Sequence, residues 1–114
     1  MEPENKKGHE LFGYCKRVSM APDTGGTVYL LEGLRLPEGC SPQEVDALLC
    51  PFPRDSYPSR LYFSQKVSCP FERNWNFNGM VAGKNWVAHS WKVEPAELTL
   101  TKILLGHLEG FTRC

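Results

Sequence analysis

The chain has no apolar run approaching the roughly 20 residues a membrane-spanning helix needs, so such a helix is not expected. It also lacks an excess charge of either sign. Its 13 basic and 13 acidic side chains cancel, which removes any global electrostatic case for nucleic acid or an anionic membrane surface. The first ten residues, MEPENKKGHE, contain no apolar core of the kind a secretory signal carries, and a cytoplasmic location is the expectation. No CxxC pair occurs among Cys15, Cys40, Cys50, Cys69 and Cys114, and the nearest two stand ten residues apart. Zinc-site spacing is therefore missing, and an odd number of cysteines argues against a disulfide framework. The expectation is reduced thiols packed as small hydrophobes. His9, His89 and His107 are too scattered to make a metal site, so neither metal nor cofactor is expected.

What is present fits one domain. A length of 114 residues can bury a single core without covalent staples. Residues 1–10 are charged and nearly devoid of apolar side chains, so they read as a loose N-terminal arm, with a single domain over 11–114. LFGYCKRVSM (11–20) alternates weakly, as a first strand or a short amphipathic piece would. APDTGG is a turn cluster, and TVYLLEGLRL (27–36) is rich in β-formers directly after it. EVDALLCPF (44–52) is a short apolar run closed by Pro51 and Pro53, as suits a central strand. RLYFSQKV (60–67) gives another. Near the end, EPAELTLTKILLGHLEGF (94–111) repeats its apolar residues at helical spacing through Leu100, Ile103, Leu104, His107 and Leu108. Pro95 suits a first turn and Gly110 a stop, predicting a helix over 95–109. The predicted class is α+β: an antiparallel meander of three to four strands with one long C-terminal helix packed on it.

Between Ser68 and Lys92 no period is assigned, and this stretch holds all three tryptophans, Trp75, Trp86 and Trp91. Within it, NWNFNGMVAG (74–83) reads as an amide-rich loop, because asparagine is poor in helices and strands.

Several landmarks in order resemble the ubiquitin-conjugating enzymes. They are Tyr57-Pro58, the asparagine-rich run, NGMVA (78–82) where that family has N-G-x-I-C, and AELTLTKILLGHL at the family's following helix. Asn74 lies eight residues before Ala82 and sixteen after Pro58, the family's spacings for its motif asparagine. Glu72-Arg73 replace the family's His-Pro. The resemblance implies the family's fold and an exchange in which a ubiquitin-like protein passes from an activating enzyme to a cysteine thioester and then to an amine. Those two proteins are the implied partners, and the short chain is similar to bacterial members.

On that resemblance, position 82 would carry the nucleophile, and Ala82 cannot form a thioester. Asn74 would be the amide that stabilises the oxyanion, or else a loop amide bracing its own backbone. His89 would be a base, or an anchor for the loop between Trp86 and Trp91. Gly79 and Asn78 would shape the turn presenting residue 82, though Gly79 also reads as an ordinary turn glycine. Ala82 then marks either a Cys→Ala form of an active transferase or a naturally non-catalytic adaptor. A third reading, without the resemblance, is an unrelated α+β module that grips a peptide or small ligand.

Overall fold

A computed structural model describes residues 11–112 apart from 12, 24, 70–73, 82 and 97. The expected N-terminal arm at 1–10, Glu72-Arg73 and Ala82 lie outside the described residues. Six strands form one sheet: β1 (Arg17–Asp23), β2 (Gly26–Arg35), β3 (Glu44–Cys50), β4 (Arg60–Phe63), β5 (Trp75–Val81) and β6 (Lys84–His89). Their order is β1-β2-β3-β4-β6-β5, and every neighbouring pair is antiparallel. Among the described residues there is one α-helix, α1 (Leu100–Leu108), which runs on into a short 3-10 turn, Glu109–Phe111.

This corrects the predicted architecture in two respects. The sheet has six strands rather than three or four, and the helix is short rather than long. The extra strands come from the stretch read as a loop. NWNFNGMVAG does alternate: Asn74, Asn76, Asn78 and Met80 are exposed while Trp75, Phe77, Gly79 and Val81 turn inward to varying degrees. Alternating exposure is the strand pattern and overrides the poor intrinsic preference of asparagine, while a bulge between Trp75 and Phe77 sends Trp75 to the helix side and Phe77 and Val81 to the other face. β5 and β6 close as a hairpin through Gly83, whose φ of +82° only glycine adopts cheaply. The helix is short because Thr99, not Pro95, starts it. The Thr99 hydroxyl accepts from the backbone N–H of Lys102, capping the helix there.

Alternation sorts the strands onto two faces. Val45, Ala47 and Leu49 of β3, with Leu61 and Phe63 of β4, turn to one side, where Ile103, Leu104, Leu108 and Phe111 cover them. Leu48, Cys50, Tyr62, Trp86 and Ala88 turn to the other and form a smaller cluster with Val28 and Val81. The segment after β3 folds back over that second face: Phe52 lies against Gly25 and Gly26, and Arg54 pairs with Asp23. At Gly33 (φ +69°) β2 bulges, and its backbone N–H donates to the Asp46 carboxylate at 3.0 Å. The bulge re-aims Leu34 into the core.

Candidate functional site

The residues singled out from sequence separate in space. Asn74 is exposed immediately before β5, and its carbonyl accepts from the Ser90 backbone N–H at 2.8 Å. His89 pairs across the ladder with Trp75 at that same end of the hairpin. Val81 ends β5 at the opposite end of the hairpin. Seven extended residues place Asn74 and Val81 more than about 20 Å apart. The hairpin thus gathers Asn74 and His89 at one end and leaves the Val81–Lys84 pair at the other.

The supporting residues divide as well. His89 is buried on the helix side among Phe63, Trp75 and Phe111, with ring centroids 5.9, 5.2 and 5.0 Å away. Trp91 joins it there, donating its indole N–H to the Gly106 carbonyl at 2.9 Å and so tying the segment after β6 to α1. Trp86 faces the other side, where its indole N–H donates to the Val81 carbonyl at 3.1 Å and Lys84 lies 5.2 Å from its ring. Gly79 sits opposite Trp86, and a Cβ there would press on the Phe77 ring at 3.2 Å. Asn78 accepts from the Asn85 side-chain amide at 3.0 Å on the surface.

A Ser–His contact raises the question of nucleophilic catalysis. Ser59 Oγ lies 2.9 Å from His107 Nε2, and both side chains are buried. The Ser59 hydroxyl donates to the Val93 carbonyl, so its only hydrogen is spent there and it must accept from His107 Nε2–H. A histidine that donates to the serine cannot take its proton. The pair is a structural tie between β4, α1 and the segment joining β6 to α1. Nor do Cys50 and Cys15 offer a nucleophile: burial pushes the Cys50 thiol up to about 12 and raises Cys15 as well.

Sequence reasoning missed a polar cluster at the start of β4. Arg54 and Tyr57 exchange backbone hydrogen bonds at 2.9 Å around Asp55 and Ser56, which both take positive φ (53° and 69°). This two-residue turn sets the Tyr57 ring 4.0 Å from the guanidinium of buried Arg60. Arg60 also donates to Asn76 of β5 and lies 4.0 Å from Asp55, which accepts from the Tyr62 hydroxyl. Asn76 in turn donates to the Tyr57 hydroxyl at 2.7 Å. A hydrogen bond with Ser90, aided by Asn76 and the positive Arg60 and Lys92, lowers the Tyr57 phenol against the opposing effect of its partial burial. Asp55, Tyr57, Arg60 and Asn76 thereby lock β5 to β4 across β6. The alternating asparagines were the available signal, since one of three on the exposed side of a strand is the natural partner for a buried arginine.

What β5 presents outward is its free edge. It ends the strand order, so among the described residues no strand lies beyond it, and alternate backbone N–H and C=O groups point away from β6. The opposite edge, β1, carries Arg17, Pro22 and Asp23, the features that discourage strand addition. β5 has no charge and no proline, and its Met80 is 65% exposed. Compared with protein-family models, curated proteins and solved structures, the chain matches none.

Proposed function

We propose that this chain is a non-catalytic recognition module that binds a ubiquitin-like protein along the β5 edge. The observation that carries the reading is the asymmetry of the two sheet edges: β1 is guarded by charge and proline, and β5 is neither. An extended partner segment added to β5 gains main-chain hydrogen bonds, with the exposed Met80 and Asn78 supplying side-chain contacts. The partner class rests on the likeness of Tyr57-Pro58, NGMVA and the C-terminal helix to ubiquitin-conjugating enzymes. Binding is favoured over acyl transfer because Ala82 carries no nucleophile, and because Asn74 and His89 stand at the far end of β5 from Val81. The length of β5 between Asn74 and Val81 exceeds by several-fold the roughly 3 Å at which an oxyanion donor or base acts.

Two measurements on one protein test this. With ubiquitin as the probe, amide hydrogen exchange across β5 is expected to slow while β1 is unchanged. Ala82→Cys, given an activating enzyme, ubiquitin and ATP, is expected to form no adduct that reducing agent cleaves. An adduct at position 82, or protection confined to some other surface, overturns the reading.

A further inference from the structure

Cys40 and Cys69 are 29 residues apart in sequence, and the fold sets them side by side. The backbones of Ser41 and Ser68 exchange both hydrogen bonds, Ser41 N–H to Ser68 O at 2.7 Å and Ser68 N–H to Ser41 O at 2.8 Å. In an antiparallel ladder the residues flanking such a pair face each other without hydrogen bonds, on one face of the ladder, with Cα atoms about 4.5 Å apart. Here those residues are Cys40 and Cys69. That spacing falls inside the roughly 4.4–6.8 Å that a disulfide spans. Both side chains pack on the same apolar cluster, Cys40 within it and Cys69 against its margin. Each stands as a thiol in this structure. Their proximity is also felt electrically, since Cys69 adds to the burial that raises the Cys40 thiol. The other described cysteines have no such placement: Cys50 lies in the cluster on the opposite face, and Cys15 donates its S–H to the Leu11 carbonyl.

We propose that Cys40 and Cys69 are a redox cross-link site, closed by a small-molecule disulfide such as oxidised glutathione. Cys69 is partly exposed and Cys40 buried, which fixes the order of events. The Cys69 thiolate attacks one sulfur of the oxidant, forming a mixed disulfide and releasing one glutathione thiolate, which takes up a proton. Cys40 then gives up its proton and attacks the Cys69 sulfur. The protein disulfide forms and a second glutathione leaves. Two protein thiols are oxidised as one disulfide is reduced, so electrons and atoms balance. The cross-link would pin the turn after β2 to the segment after β4, which the Ser41–Ser68 bridge already holds in register.

The test is titration of the whole chain with oxidised glutathione under non-denaturing conditions, read by intact mass and by mapping of linked peptides. The expected product has lost two hydrogens, contains peptides bearing Cys40 and Cys69 joined, and melts higher by on the order of 5–10 °C. Cys40→Ala should stop at a persistent glutathione adduct on Cys69, and Cys69→Ser should yield neither product. Because the mapping uses the unaltered chain, a variant that folds poorly does not spoil the result. A wild-type product that ends at the glutathione adduct, a cross-link joining other cysteines, or no reaction at all would overturn the proposal.

Discussion

Ser59 and His107 illustrate how a single side chain ties pH to stability. Burial, then the neighbouring His89 and Arg60, push the His107 imidazole down to about 3. In the unfolded chain the same ring titrates near 6.5. The depressed value means that the unfolded state binds a proton the folded state refuses. Stability from this group is therefore complete above about pH 6.5 and is lost as pH falls toward 3. By pH 5 the shortfall is about 2 kcal/mol, at 1.36 kcal/mol per pH unit. Urea melts at pH 7.5 and pH 5 should show it, and His107→Gln should reduce the difference between the two pH values by a similar amount. An equal difference in the variant would assign the acid sensitivity to another group. The helical stripe alone placed His107 in the core. Its partner Ser59 was not legible, because a contact between residues 48 apart in sequence leaves no local mark.

At the scale of elements, what was legible depended on which signal was strongest locally. The run at 27–36 matches β2 to within a residue, and those at 44–52 and 60–67 contain β3 and β4, because strand-forming side chains bounded by turn residues leave little ambiguity. β5 was missed through asparagine preference, although Asn74, Asn76 and Asn78 spell out a strand period. The helix was found by its stripe but drawn too long, since a proline at 95 and a threonine cap at 99 are both legitimate starts. Leu104 sits at the centre of that stripe, fully buried against the sheet. Leu104→Ala should therefore cost about 2–5 kcal/mol, the combined loss of transfer energy and the cavity left behind. Thermal or denaturant melts read this directly, and an unshifted midpoint would mean that α1 contributes little to the fold.

At the scale of the molecule, the sheet has two faces and two edges, and each serves a different end. One face takes the helix; the other closes on itself through Phe52, Tyr62 and Trp86. β1 is an edge made unattractive to other strands, and β5 is an edge left open. Composition could not show this, because which strands lie outermost is a property of topology: β6 enters between β4 and β5 only once the hairpin folds back. The spacing of Asn74 and Val81 was equally silent on distance, since linear spacing within a strand becomes separation along it.

If the open edge is the binding surface, a charge placed on it should act on binding alone. Met80 is the most exposed large apolar side chain described on β5, and it stands opposite Asn85 rather than over the core. Met80→Lys puts an edge-blunting charge there and buries nothing. Its effect on stability should stay within about 0.5 kcal/mol, as for surface changes generally. Its effect on ubiquitin binding should be at least tenfold, because an added strand would have to desolvate the ammonium alongside its own backbone. Arg17→Glu, on the guarded edge, alters charge to a greater extent and should leave binding unchanged. Isothermal titration of both variants with ubiquitin, beside matched melts, separates the two edges. Equal loss in both would mean that the field of the whole molecule governs association, and an intact Met80→Lys would move the docking surface away from β5.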